Sequence, residues 1–293
     1  MSQIAFFGAV ELGLVFAFVG IGVYIAFRVL DFPDLTVDGS FPLGAAVAAM
    51  LILAGWNAWA ATAVAMIAGG AAGLVTAFLN VRFKILNLLA SILTMIALFS
   101  VNLRVMGRPN VALINQDTML TPFYGLGLPD FYVRPLFVGL LALVMLILVW
   151  RFLASDLGLA MRATGANPRM ARAQGVKTSL HIYLGMALSN ALVALGGSLF
   201  AQTNGFADVT SGVGTIVVGL AAVIIGETLF HTRLIFWALV GCILGSVVYR
   251  IAIQLALSSD VLGLQASDLN LVTAVLVAAA LVLPRLRRGR AAA

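Results

Sequence analysis

The chain has 293 residues, 62% of them hydrophobic and 10% charged, with a net charge of +6 and a mean hydropathy of +1.11. A soluble domain carries roughly 25% charged residues, so water is excluded as the main solvent, and the apolar runs leave no room for a separate soluble catalytic domain. The basic excess reads as membrane topology rather than nucleic-acid binding, because the Lys and Arg residues fall between hydrophobic runs.

A helix rises 1.5 Å per residue, so crossing a hydrocarbon core of about 30 Å takes roughly 20 apolar residues. Met1-Ser2-Gln3 lacks the positive region of a secretory signal, and the run that follows, Ile4–Val29, is long enough to be a retained span. After it come Leu43–Gly55, Ala58–Asn80, Asn87–Leu103, Arg134–Leu153, His181–Thr203, Gly212–Gly226, Leu234–Leu257 and Leu269–Leu283. The expected fold is all-α: a polytopic transmembrane helical bundle of eight or nine spans forming one domain over residues 1–293. Leu43–Gly55 and Gly212–Gly226 are short for a straight crossing and are expected to be broken helices. They follow spans one and six, which start on opposite sides, a pattern expected of inverted repeats.

Placing Asp156–Leu180 in the cytoplasm puts thirteen of the 17 Lys and Arg residues inside and leaves only Arg104, Arg108, Arg134 and Arg250 at outer ends. Basic residues concentrate on the cytoplasmic side, so the C-terminus is expected inside, the N-terminus outside and the loop 104–133 periplasmic.

Between the first two spans, residues 31–42 bring Asp31, Asp34 and Asp38 together with Pro33, Gly39 and Pro42. Irregular backbone at membrane depth survives only where it is buried in protein or lines a wet cavity. The pattern alone leaves two readings open, a broken element facing a permeation path and a polar cytoplasmic loop. Residues 155–180 carry strong helix signals. Asn167 suits an N-cap, Pro168 the first helical position and Gly175 the residue beyond the last turn. They predict a two-turn helix, Pro168–Gln174, bearing Arg169 and Arg172. A helix that short is unstable alone in water, so it docks on a partner or lies on the lipid surface.

Other features are weaker. Gly69-x-x-x-Gly73, Gly185-x-x-x-Ser189 and Gly241-x-x-x-Gly245 allow close helix approach. Asn102, Ser189, Asn190, Gln202 and Thr215 read mainly as helix-packing hydrogen bonds. Glu227 is costly if buried and so is a functional candidate. His181 and His231 read as wetted helix ends, and the single cysteine, Cys242, has no partner at metal-ligand spacing. No phosphate-binding loop, H-E-x-x-H or G-x-S-x-G pattern occurs, so no catalytic residue, metal site or cofactor is expected in this chain.

The stretch LGLAMRATGANPRMARAQGVKT, with Asn190 and Gly196-Gly197 in the following span, resembles the permeases of ATP-binding-cassette importers, and more narrowly the branched-chain amino acid and ribose permease group. The segment DFPDLTVDGSFPLGAA resembles an amino-acid-linked subgroup fed by periplasmic binding proteins. The resemblance covers essentially the whole chain. It implies an inner-membrane permease, without an ATPase site of its own, that carries a small solute inward, an amino acid or related compound. Its partners would be a second permease copy as a homodimer, two cytoplasmic ATPase subunits holding ATP and Mg²⁺, a periplasmic binding protein and membrane lipid. Asn167, Pro168, Arg169, Met170, Ala171, Arg172, Gln174 and Gly175 would form the coupling helix seated on an ATPase. Phe32, Asp34, Thr36, Asp38, Gly39, Ser40, Phe41, Asn190 and Thr215 would border the translocation pathway. Arg104, Arg108 and Arg134 would meet acidic residues of the binding protein. Two alternatives are an ion-coupled secondary transporter using Asp31, Asp34, Asp38 or Glu227, and a non-transporting membrane scaffold.

Overall fold

A computed structural model describes residues 3–126, 129–230 and 234–257, together with position 275. The expected ninth span, apart from that position, the basic tail after it, His231 and Arg233 lie outside the described residues. Among the described residues, seven helical segments are long and apolar enough to cross a membrane: Gln3–Val29, Ala58–Phe83, Asn87–Met106, Phe131–Ala154, Thr178–Asn204, Val209–Leu229 and Ile235–Ala256. An eighth, Val37–Leu53, is shorter. The protein is therefore a multi-pass transmembrane bundle. Its outward faces stay apolar, as with Leu93, Ile96 and Phe99 on one helix and Leu136, Leu140 and Leu143 on another, all well exposed. Such rows of exposed apolar side chains belong against lipid.

We number the helices α1 (Gln3–Val23, continued by a wider π-helical turn Tyr24–Val29), α2 (Val37–Leu53), α3 (Ala58–Phe83), α4 (Asn87–Met106), α5 (Asp130–Ala154), α6 (Asp156–Ala166), α7 (Pro168–Ala173), α8 (Thr178–Asn204), α9 (Thr215–Leu229) and α10 (Ile235–Leu257). The π turn unwinds α1 at Leu30, whose N–H reaches back to the Ile25 carbonyl, and Asp31 follows in the left-handed region at φ +53°. Two three-residue strands, β1 (Asn110–Ala112) and β2 (Phe206–Asp208), pair antiparallel with Asn110 opposite Asp208. They close one end of the bundle, the sheet end; α6 and α7 occupy the other, basic end.

The two segments expected to be broken resolve differently. α2 begins at Val37 rather than Leu43, so Pro42 lies inside the helix. Proline lacks the N–H that would bond the carbonyl four residues back, and the Asp38 carbonyl so released lies against Gly212, where an added Cβ would sit 2.0 Å from it. The other segment is not too short. A 3₁₀ turn, Val209–Gly212, precedes α9, and together they span 21 residues, with the break at Gly214 (φ +80°).

α8 is the central post, packed against α1, α2 and α3, while α9 packs between α1 and α10. α2 rests on α8 and α9 on α1, so each interrupted element leans on the long helix of the other half. All three small-residue motifs lie at helix contacts. A Cβ at Gly73 would fall 2.2 Å from the Met186 carbonyl oxygen of α8, and one at Gly245 2.2 Å from that of Ala222 on α9. The Ser189 hydroxyl donates to the Gly22 carbonyl at 2.7 Å. Close backbone approach and interhelical hydrogen bonds are what hold helices together where lipid removes the hydrophobic drive.

Candidate functional site

Midway through the bundle, the irregular link 30–36 and the start of α2 are tied to three other helices by a buried polar knot. Asp34 is fully buried. One carboxylate oxygen accepts the Thr36 N–H at 2.9 Å and the other the Asn190 side-chain amide at 2.8 Å. A carboxylate only accepts, which fixes the amide orientation of Asn190. The Asn190 carbonyl oxygen then accepts the Ser40 hydroxyl at 2.7 Å. The Thr36 hydroxyl pairs with that of Thr76 on α3 at 2.7 Å, and the Asn102 amide of α4 donates to the Gly39 carbonyl at 3.1 Å. In lipid a polar group must find its partner inside the protein, and the D-x-T-V-D-G-S stretch supplies these partners within seven residues.

Asp38 faces the other way. Its carboxylate accepts the N–H groups of Gly214 (3.2 Å) and Ile216 (2.7 Å), capping α9 from another part of the chain. The first N–H groups of a helix have no intrahelical partner and carry its positive dipole end, so an acceptor at membrane depth fixes where α9 starts. At the far end of α9, Glu227 pairs with Arg28 in the π turn of the first span.

The side chains expected to border a pathway meet protein here. Phe32, Asp34, Thr36, Ser40, Phe41, Asn190 and Thr215 are all buried. Phe41 stacks on Phe16 with ring centroids 5.4 Å apart, and Thr215 donates to the Ser211 carbonyl at 3.4 Å. Gly39 is tightly packed, with the Leu98 side chain 2.9 Å from where its Cβ would be.

At the basic end, the helix expected over Pro168–Gln174 is α7, Pro168–Ala173, with Gln174 as its last cap. The Asn167 side chain accepts the N–H groups of Arg169 (3.1 Å) and Met170 (3.0 Å), Pro168 opens the helix, and Gly175 turns away at φ +84°. Ala171 is buried, whereas Met170 is 63% exposed and Arg169 is also exposed. Arg172 is held by a hydrogen bond from its Nε to the Thr178 hydroxyl at 3.0 Å. α6 anchors this unit. Met161 is fully buried, and Gly165 lies so close to α1 that a Cβ would be 2.0 Å from the Val29 carbonyl. Contacts therefore run unbroken from α7 through α6 to residues 29–30, and from there along 31–38 to the start of α9.

At the sheet end, Arg104 and Arg108 are exposed. Arg134 is engaged internally: Nε donates to the Tyr124 hydroxyl at 3.1 Å and Nη1 to the Thr203 carbonyl at 3.4 Å. Asp208 pins the strand pair. Its partial burial, which raises a carboxyl pKa, is outweighed by hydrogen bonds from the Thr210 hydroxyl, the Asn110 amide and the Thr210 N–H, which hold it below the usual carboxylate range. A depressed folded-state pKa means this contribution is complete above the unfolded value and is lost as pH falls through the folded one.

Two expectations are corrected. His181 is not a wetted helix end: it is 5% exposed because α6 packs against this part of α8. Arg250 is not at an outer helix end. Its guanidinium lies inside the bundle, 4.1 Å from the centre of the Phe16 ring. Thr76, the partner of Thr36, was not singled out by the sequence, since one threonine in an apolar helix carries no signal of its own.

Comparison with known proteins places these features in context. The family model described as the permease component of the branched-chain amino acid transport system matches residues 5–283. The chain is 38% identical over 267 residues to a tyrosine transport system permease protein of Clostridioides difficile, covering 91% of this chain and 86% of that one. It is 26% identical over 196 residues to the ribose import permease protein of Escherichia coli K12, covering 67% and 60%. Among solved structures, PsaBC from Streptococcus pneumoniae in complex with Fab superposes with a TM-score of 0.52 at 15% identity, covering 95% of this chain and 90% of that one, a likeness of fold.

Proposed function

The chain belongs to the branched-chain amino acid transport system permease family, the membrane subunits of ATP-binding-cassette importers, and on that premise we propose that it carries an amino acid with an aromatic side chain inward. The substrate class rests on the 38% identical tyrosine transport permease. In this reading two copies pair, the basic end and the C-terminus lie in the cytoplasm, and the N-terminus lies outside. A periplasmic binding protein delivers the solute to the sheet end, near Arg104 and Arg108, with Arg134 bracing the loop from within. Separate ATPase subunits hold ATP and Mg²⁺; this chain has no ATPase site. Residues 155–180 are the coupling loop of a single permease domain.

The observation that carries the proposal is α7, a two-turn helix held by its Asn167 cap with Met170 and Arg169 directed outward. An apolar residue beside an arginine on an exposed helix fits a groove in a partner protein. ATP closing the ATPase pair would move α7, and α6 would pass the displacement to residues 29–38 and so to α9. A displacement shifts a conformational equilibrium only if the partner binds the two states differently, and the ATPase grip on α7 supplies that difference. Residues 31–42 then border the pathway through their backbone course and through α9, with Asp34, Thr36 and Asn190 fixing that course and Asp38 setting the start of α9. The same geometry disfavours Asp34, Asp38 and Glu227 as ion carriers in the ion-coupled alternative. Both Asp34 oxygens and both Asp38 oxygens accept hydrogen bonds, and Glu227 pairs with Arg28.

Met170→Cys tests both topology and docking. Cys242 is buried, so the variant presents one accessible thiol. A membrane-impermeant maleimide is expected to label M170C in inside-out vesicles and not in right-side-out cells, and added ATPase subunits should protect it. Labelling from the outside would overturn the orientation, and undiminished labelling with ATPase bound would overturn the docking role of α7.

A further inference from the structure

Resting on the orientation proposed above, we infer that the seam between α3 and α8 is a binding site for an anionic phospholipid of the cytoplasmic leaflet, its phosphate held by Lys84, Lys177 and Arg172. A cavity of about 920 Å³ opens at the basic end between the α3–α4 turn and the junction of α7 with α8. Lys84, Arg172 and Lys177 line it, and no Asp or Glu does among the described residues. The three cations are exposed. The turn that presents Lys84 is held in shape by Asn80, whose amide donates to the Ile85 carbonyl at 2.8 Å and the Asn87 side chain at 2.6 Å. A cluster of positive charge without a carboxylate among its lining residues attracts an anion, and basic pockets at the cytoplasmic ends of membrane helices suit phosphate headgroups.

A second, apolar cavity of about 670 Å³ lies between α3, α5 and α8. Gly70, Ala187 and Ala191 form part of its lining, with Leu74, Leu148 and Phe152. The two cavities share one seam. On α3 the lining positions 70, 74 and 81 succeed one another at helical spacings, as do 191, 187, 184 and 180 on α8. Leu74 to Val81 is a rise of about 10 Å along the helix, which an acyl chain spans easily. Leu86 (77% exposed) and Leu180 (47%) beside the cations place the mouth of the charged cavity at the lipid surface rather than in bulk water. Charge at one end and an apolar groove running up from it match a phospholipid, and match neither a soluble anion, which would leave the groove empty, nor an ATPase surface, which cannot enter the bilayer.

The test is native mass spectrometry of the detergent-purified full chain, titrated with phosphatidylglycerol, phosphatidylcholine or glycerol phosphate. The variants are Lys84→Gln/Lys177→Gln, which lie outside α7, and Ala187→Phe, which fills the groove. The wild type should retain phosphatidylglycerol over phosphatidylcholine by at least tenfold, and K84Q/K177Q should abolish the preference. A187F should weaken phosphatidylglycerol binding while leaving glycerol phosphate unaffected. Glycerol phosphate binding as tightly as the lipid would identify a free-anion site and overturn the proposal. So would unchanged lipid retention in K84Q/K177Q with reduced ATPase co-purification, which would assign the cations to the ATPase. The M170C labelling pattern reports the orientation separately, so a failure of the lipid site and a failure of the topology are distinguishable.

Discussion

Asp34→Ala is expected to destabilise the protein by several kcal/mol and to abolish transport. The change removes the acceptor for two buried donors, the Thr36 N–H and the Asn190 amide. Each donor left unpaired in a water-free interior costs about 1–3 kcal/mol, and Asn190, left with its bond to the Met186 carbonyl, would hold Ser40 less firmly. Asp34→Asn is no substitute. An amide has one acceptor and one donor end, and both groups facing it are donors, so one N–H pair must clash or separate. Thr36→Val, which loses the hydroxyl contact to Thr76 but keeps the backbone N–H that Asp34 accepts, should cost about 1 kcal/mol. Thermal unfolding in detergent measures the order D34A and D34N well below T36V, with T36V near wild type. A D34A protein as stable as wild type would show that the knot does not hold the link 30–36.

The second large effect falls on function and leaves stability intact. Arg169→Glu/Met170→Asp reverses the charge and removes the apolar contact at the tip of α7. Both residues are exposed and neither side chain contributes to the caps of the helix, and exposed substitutions of this kind usually change stability by less than about 0.5 kcal/mol. ATP-driven uptake should fall at least tenfold while the melting temperature stays unchanged. Asn167→Ala separates shape from contact. It deletes the acceptor for two N–H groups and should cost about 1 kcal/mol of local helix stability, so coupling should weaken partially with the docking residues untouched.

Much of this was legible in the chain. Helix lengths fixed by bilayer thickness identified six of the seven full crossings among the described residues, and Asn167, Pro168 and Gly175 located α7 to within one residue of its end. These features are local: each depends on a run length or on neighbours within a turn. What the sequence did not reveal depends on distant partners. Pro42 looked like the end of an irregular stretch because a proline inside a helix leaves a carbonyl free, and only the fold shows Gly212 packed on that carbonyl. The carboxylates of residues 31–42 were evident as a cluster, but their division of labour was not. Asp34 ties α2 to α8, and Asp38 caps α9, which begins 177 residues later in the chain. Arg250 read as an interfacial residue by its position near the end of an apolar run, whereas its neighbour across the bundle, Phe16, lies in the first span. The seventh run is broken as expected, at Gly214, but its length was misjudged because its first turn is 3₁₀ and precedes a glycine break that hydropathy reads as a boundary.

The central claim is that this chain transports only when an ATPase acts on α7. The most direct measurement is uptake of radiolabelled tyrosine into proteoliposomes containing the permease, its ATPase subunits and its binding protein, with the wild type beside R169E/M170D and beside the permease alone. Uptake is expected with ATP in the wild-type complex, at least tenfold less in R169E/M170D, and none from the permease alone under a proton or sodium gradient. Gradient-driven uptake by the permease alone, or full ATP-driven uptake by R169E/M170D, would contradict the account.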